Sequence, residues 1–205
     1  MMGFQNVSRE TAERLEIYER LLEKWNPAIN LVAKTSITNA RTRHFEDSLQ
    51  ILNFAPDVWT TWADLGSGGG FPGAVVAIAA AECHPNANVI LVESDARKSA
   101  FLRSVFRETG VTATVLNQRI ESLDPLGANV VSARALAELS TLLGFADRHA
   151  APNATLLFPK GESWRNELTK AQESWIFSYD AAPSKTDSKG VILKIRDLRR
   201  ADPET

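Results

Sequence analysis

The sequence predicts an α/β fold: a doubly wound, seven-stranded, mostly parallel sheet that ends in an antiparallel hairpin and is preceded by an N-terminal helical cap. Three observations carry this reading. From about residue 60, short apolar runs alternate with helical stretches, the pattern of a parallel sheet covered on both faces. A glycine-rich loop, Gly66-Ser67-Gly68-Gly69-Gly70, follows the first of those runs, at the strand end where such sheets bind ligands. No helical stretch separates the last two runs, so they pair antiparallel.

The cap comes first in the chain. Over residues 8–25, Leu15, Tyr18, Leu21, Leu22 and Trp25 recur at three- and four-residue spacing with Glu and Arg between them, which predicts an amphipathic helix. Ser8, followed by Glu10 and Thr11, supplies its start, and Asn26-Pro27 its stop. A second helix is expected over residues 37–54, with Phe45, Leu49 and Leu52 inward, ending before Pro56. Residues 1–55 then form the cap and residues 56–205 the sheet domain. In that domain strands are expected at 61–65, 88–93, 112–116, 129–132, 155–158, 175–179 and 190–196. Helices are expected at 73–83, 97–109, 136–150 and 163–173. The polar segment 183–189 joins the last two strands. No internal repeat interrupts this order.

Composition sets outer bounds. A chain of 205 residues with 44% hydrophobic content buries one sizeable core, and only its ends look loose. A net charge of −2 gives no global affinity for nucleic acid, so any such binding must come from a local basic patch. The single cysteine, Cys83, excludes an internal disulfide framework and a cysteine zinc cluster, and reads as packing at the end of an alanine-rich helix. Arg9, Glu10, Glu13 and Arg14 stand where a signal peptide needs its apolar core, and no run approaches the roughly 18 apolar residues of a membrane span. A cytoplasmic protein without a membrane partner is expected. His44, His84 and His149 share no ligand spacing, so no metal is expected either.

The glycine loop has two readings. Asp64-x-Gly66-x-Gly68-x-Gly70 is an acid followed by three alternate glycines, a pattern of S-adenosylmethionine sites in which glycine lets the backbone approach the cofactor. Asp64 either accepts from the cofactor's ammonium or fixes the loop. Gly68, Gly70 and Gly73 also spell the G-x-G-x-x-G of dinucleotide sites. Pro72 removes a donor near the place a pyrophosphate needs it, and the terminal hairpin is familiar from methyltransferase sheets and not from plain dinucleotide folds. Glu93 closes the second strand, where a carboxylate can accept from a ribose hydroxyl pair; both cofactor classes use this. Ile120-Glu121, after the third strand, offers an apolar face and a polar edge to an adenine, or is a plain exposed loop.

Five segments form a more specific pattern. They are Lys24-Trp25-Asn26-Pro27-Ala28-Ile29-Asn30-Leu31, Arg43-His44-Phe45-Glu46-Asp47-Ser48-Leu49, the loop from Asp64 through Gly66-Ser67-Gly68-Gly69-Gly70-Phe71-Pro72-Gly73, Ser132-Ala133-Arg134-Ala135-Leu136, and Lys160-Gly161. On these residues, and over nearly the whole chain, the sequence resembles the bacterial small-subunit (16S) ribosomal RNA guanine-N7 methyltransferase family known as RsmG or GidB. The resemblance implies a Rossmann-like class I methyltransferase fold, S-adenosyl-L-methionine as cofactor, and small-subunit ribosomal RNA or a ribosomal particle as partner. It implies that Gly66 and Phe71 line the cofactor site, which the glycine spacing extends to Gly68, that Ile120 and Glu121 contact the adenosine, and that Arg134 closes the site. One departure is that the segment before the last strand, Lys185-Thr186-Asp187-Ser188-Lys189-Gly190, is short and mixed where relatives are basic, which bears on its share in RNA contact.

Guanine N7 carries a lone pair and no proton, so the implied reaction needs no general base, and no acid or histidine pair in the sequence demands that role. Arg134 fits a cofactor carboxylate or a phosphate. Arg43 and Lys160 are the leading phosphate contacts, ahead of Arg41, His44, Lys194, Arg196, Arg199 and Arg200. Trp25, Trp62 and Phe71 are candidates to stack on a base, although residues at apolar positions like those of the first two more often belong to a core. Two other functions stay open on the same fold: an NAD-dependent oxidoreductase, and a non-catalytic ribosome-assembly module that binds RNA.

Overall fold

A computed structural model describes residues 7–201; the chain ends expected to be loose lie outside the described residues. Strands β1 (Thr61–Leu65), β2 (Asn88–Val92), β3 (Thr114–Leu116), β4 (Ala128–Ser132) and β5 (Ala150–Lys160) run parallel. Strands β6 (Trp175–Pro183) and β7 (Val191–Arg200) form the expected antiparallel hairpin. The order is β3-β2-β1-β4-β5-β7-β6, so β7 inserts beside β5, antiparallel to it, and β6 becomes the edge. The order reverses between β1 and β4, which opens a crevice above their C-terminal ends.

Helix α1 (Arg9–Ile29) begins where expected, Ser8 accepting from the Thr11 N–H as N-cap. It does not stop at Asn26-Pro27. Pro27 sits in its last turn, and Asn30, in the left-handed conformation that asparagine tolerates, ends it one turn later. Asn26 Oδ1 then accepts from the Val32 N–H at 2.9 Å and turns the chain back.

The single helix expected over residues 37–54 is instead a succession of turns: a 3-10 turn Ile37–Asn39, a π turn Arg41–Glu46, one α turn α2 (Asp47–Leu49) and a 3-10 turn Gln50–Phe54. The reason lies in the carbonyls of Arg43 and His44. Arg134 donates to the first at 3.1 Å and the Ser48 hydroxyl to the second at 2.6 Å, so the regular ladder gives way there.

Helices α3 (Gly73–Cys83) and α4 (Ala96–Thr109) cover one face of the sheet, and α5 (Leu139–His149) and α6 (Trp164–Gln172) the other. Residues from Gly73 to Ala80 of α3 are buried on all sides. Such a helix needs cover on its outer face, and α1 with the turns after it provide it: Leu15, Tyr18, Leu22, Phe45 and Leu49 share one core with α3, α4 and the sheet. Helix α5 starts three residues later than expected, because Ala135 takes a positive φ of 53° and Glu167 caps the Leu139 N–H at 3.0 Å. Among the described residues no helix is long and apolar enough to cross a membrane.

Candidate functional site

A cavity of about 1100 Å³ opens at the C-terminal ends of β1 to β5. Gly66, Gly68, Phe71, Glu93, Ile120, Glu121, Arg134, Arg43 and Lys160 all line it, although they come from six separate stretches of chain. Leu31, Asp47, Lys98, Arg119, Leu136, Ser184 and Thr186 line it too, and the sequence assigned none of them a site role.

The glycine loop is built to be rigid. Gly66, Gly68 and Gly70 have φ of 67°, 56° and 93°, values that L side chains rarely adopt. Its N–H groups are largely spent: Ser67 donates to Val92 O (3.0 Å), Gly68 to Glu93 Oε2 (2.8 Å) and Gly70 to Ser67 O (2.7 Å). The Tyr18 hydroxyl donates to Gly69 O, and the Tyr18 ring stacks on Phe71 at 5.4 Å, so α1 holds the loop from outside. Sequence spacing identified Tyr18 only as an inward-facing position.

Asp64 is fully buried beneath the loop and does not line the cavity. Its Oδ1 accepts from Ser132 at 2.7 Å, and Ser132 accepts in turn from Trp62 Nε1 at 2.9 Å, which ties β1 to β4. Of its two expected roles, this geometry is that of fixing the loop. Burial raises its pKa to about 6.

Arg134 is the hub of the opposite wall. Its NH1 donates to Arg43 O (3.1 Å) and Asp47 Oδ2 (3.0 Å), its NH2 to His44 Nδ1 (3.0 Å), and its guanidinium lies 5.1 Å from the Phe71 ring centre. Three of the five donors of a guanidinium are thereby used and two are left for a ligand. Asp47 Oδ1 meanwhile accepts from Gln50 (2.8 Å) and Thr186 (2.6 Å), so one carboxylate joins the cap, β4 and the β6–β7 turn. Because Arg134 donates to His44 Nδ1, the ring proton is on Nε2, 2.8 Å from Ser36 Oγ.

Burial, and then the Arg134 charge, lower His44 from its ordinary 6.5 to about 4. The unfolded chain takes up this proton as pH falls through about 6.5, the folded one only near 4. The residue's contribution to stability is therefore complete above about 6.5 and lost as pH falls toward 4. Asp64 works in the opposite sense, since its raised value costs stability as pH rises toward 6. Denaturant unfolding of the unaltered chain and of His44→Gln isolates the histidine: the stability difference is expected to grow between pH 4 and 6.5 and to level off above. A difference independent of pH would contradict the assignment.

Glu93, 7% exposed, accepts from Gly68 N–H and from Asp95 N–H (2.7 Å). Ile120 is buried in a 3-10 turn, Ile120–Ser122, with Glu121 exposed beside it. Lys160 lies at the cavity wall but its ammonium is engaged, donating to Glu167 Oε2 at 2.7 Å and to Ala137 O at 3.0 Å. Arg43 is exposed, and among the described residues no carboxylate pairs with its guanidinium.

Other basic and aromatic candidates lie elsewhere. Arg41 pairs with Glu19 at 3.1 Å, Arg196 with Asp180 at 2.9 Å, and Lys194, Arg199 and Arg200 sit on β7 away from the cavity. Trp62 is a core residue and Trp25 packs toward Phe101, so of the three aromatics only Phe71 reaches the cavity.

Known proteins place the chain in a family. A family model described as rRNA small subunit methyltransferase G (GidB) matches residues 11–193. The Ribosomal RNA small subunit methyltransferase G of Ruegeria pomeroyi is 55% identical over 195 residues, 95% of each chain. That of Paracoccus denitrificans is 47% identical over 197 residues, 96% of this chain and 100% of its own. Among solved structures, the N-methyltransferase NodS of Bradyrhizobium japonicum, in complex with S-adenosyl-L-homocysteine, superposes with a TM-score of 0.57 at 12% identity, covering 92% of this chain and 99% of its own. A methyltransferase from Geobacter sulfurreducens gives 0.59 at 14%, covering 90% and 88%. These two share the class I methyltransferase fold and, at such identity, the fold alone. The match along nearly the full length at up to 55% identity is of another order, and the chain belongs to the rRNA small subunit methyltransferase G (GidB) family.

Proposed function

We propose that the chain transfers a methyl group from S-adenosylmethionine to N7 of a guanine in small-subunit (16S) ribosomal RNA, in the cytoplasm, on the RNA or on a ribosomal particle. The observation that carries this is the cavity's donor set. Glu93 offers a carboxylate for a ribose diol, Arg134 offers two unspent N–H donors for an amino-acid carboxylate, and the glycine loop between them has few donors left. A dinucleotide pyrophosphate needs a nest of free N–H groups at this loop, whereas a sulfonium cofactor carries no phosphate. Family membership supports the same reading over the oxidoreductase.

In this reading Gly66, Gly68 and Phe71 form the floor under the cofactor, Ile120 packs on its adenine and Glu121 accepts from the exocyclic amine. When bound there, S-adenosylmethionine supplies a methyl group activated by the adjacent sulfonium. The chain supplies no base, because N7 attacks through a free lone pair; it contributes alignment and a dry, charge-matched wall. The Asp47 carboxylate cancels the Arg134 charge beside a cationic donor, where an unpaired guanidinium would oppose binding. Residues 1–55 act as the cap that brings Arg43, His44 and Asp47 to the cavity and sets Tyr18 against the glycine loop. Arg43 is the preferred phosphate contact. Lys160 can offer RNA only the one ammonium proton not already engaged, so its part is the smaller.

Calorimetric titration tests the cofactor and labelled transfer tests the reaction. Binding of S-adenosylmethionine with no binding of NAD(H), followed by label transfer to undermethylated small ribosomal subunits or their RNA, is expected. NAD(H) binding alone would establish the oxidoreductase, and cofactor binding without transfer would leave the non-catalytic module.

A further inference from the structure

We infer that Arg148 and His149, the last two residues of α5, are positioning residues that hold the adenosine-contacting turn in place. Neither lines the cavity. His149 Nε2 lies 3.0 Å from Ile120 O, and Arg148 donates to Leu123 O from both Nε (3.0 Å) and NH2 (2.6 Å). The two side chains thus grip the carbonyls at either end of the turn Ile120–Ser122, which carries Ile120 and Glu121.

The turn needs this support. It lies in the connection from β3 to β4, outside any strand ladder, and its own backbone bonds are Ser122 N–H to Arg119 O at 3.0 Å and Leu123 N–H to Ile120 O at 3.3 Å. Ile120 and Leu123 are each 7% exposed, so little water can replace a lost donor here, and without His149 the Ile120 carbonyl keeps only the 3.3 Å bond from Leu123 N–H. His149 is fully buried, and its Nδ1 has no partner. Burial lowers its pKa and favours the neutral ring, whose one proton must then sit on Nε2, the nitrogen facing an acceptor. Its chemistry is that of a single aimed donor. Arg148 is an exposed residue whose guanidinium fork meets one carbonyl.

The inference rests on the cofactor reading above. Contacts to adenosine are the same before and during methyl transfer, so loosening the turn weakens cofactor binding and leaves the rate at saturation unchanged. His149→Leu and Arg148→Met should each raise the Kd and KM for S-adenosylmethionine several-fold, up to the roughly tenfold reached when the cofactor must re-order a turn that has lost one such bond. His149→Gln should stay within about twofold of the unaltered chain, because the glutamine amide nitrogen can take the place of Nε2.

The experiment is calorimetric titration of S-adenosylmethionine into the full chain and these three variants, with kcat and KM for methyl transfer to undermethylated small subunits and thermal unfolding alongside. A KM effect at constant kcat with rescue by glutamine supports the inference. Unchanged affinity in folded His149→Leu and Arg148→Met overturns it, as does a glutamine variant as weak as the leucine one, which would mean packing alone. Should His149→Leu fail to fold, Arg148→Met, altered at the surface, decides. An unaltered chain that binds no S-adenosylmethionine overturns the cofactor reading and this inference with it.

Discussion

Glu93→Ala is expected to weaken S-adenosylmethionine binding by about a hundredfold or more while leaving unfolding cooperative. The carboxylate accepts from the N–H groups of Gly68 and Asp95, one on each oxygen. Bonds to a charged acceptor contribute about 1.5–3 kcal/mol each, and about 2.7 kcal/mol is a hundredfold in affinity. Its removal both frees the glycine loop and deletes the proposed acceptor for the ribose. The strand end itself is held independently, since Ser99 and Asn117 donate to Glu93 O at 3.1 and 2.9 Å, so the backbone stays in place. Glu93→Gln, which keeps one acceptor oxygen, should fall between. Calorimetry with thermal unfolding checks this, and a Kd within threefold of the unaltered chain would contradict the placement of the ribose.

Arg134→Ala carries the second large effect. Its pair with Asp47 is mostly buried, at 18% and 14% side-chain exposure, and breaking such a pair from one side costs about 3–5 kcal/mol in a buried setting. Asp47 would keep Gln50 and Thr186 but lose its cation, while the Arg43 carbonyl and the His44 Nδ1 would lose their donor. The expected result is a lower unfolding midpoint together with at least about tenfold weaker cofactor binding, the loss of roughly one charged hydrogen bond. Arg134→Lys should not restore activity. An ammonium has no planar fork with which to reach Asp47, Arg43 O and His44 at once and still face a ligand. Native kcat/KM in the lysine variant would contradict the role given to the fork.

Much of this could be read from the sequence, and what could not follows a physical pattern. Strand β1 and helix α3 are found at the residues expected, because their limits are set locally, by a short apolar run and by the glycine loop with Pro72. The antiparallel hairpin was legible from the missing helix, but the insertion of β7 between β5 and β6 was not, since pairing order depends on contacts far apart in sequence. The helix expected over residues 37–54 failed because periodicity sees side chains, and the ladder there is diverted through carbonyls by Arg134 and Ser48. Tyr18 and Asp47 were missed for a related reason. Tyr18 reads as a core position, and Asp47 has no role of its own within its motif, until the fold brings Gly69, Arg134 and Thr186 against them. Lys160 shows the converse. Its family-like motif after the fifth strand marked it as a cation near the site, and only the structure reveals that Glu167 already holds it.

In the proposed reaction the cavity aligns the N7 lone pair of a ribosomal guanine with a methyl donor, and none of its acids nor His44 is needed as a base. N7-methylation labilises the glycosidic bond, so reduction with borohydride followed by aniline cleaves RNA at the modified guanine. Small-subunit RNA from undermethylated particles, treated with the purified chain and S-adenosylmethionine, should yield a new cleavage at a guanine that is absent without the cofactor and absent with the Glu93→Ala and Arg134→Ala variants at low cofactor. Transfer of label with no such cleavage would place the methyl on another atom and contradict the account.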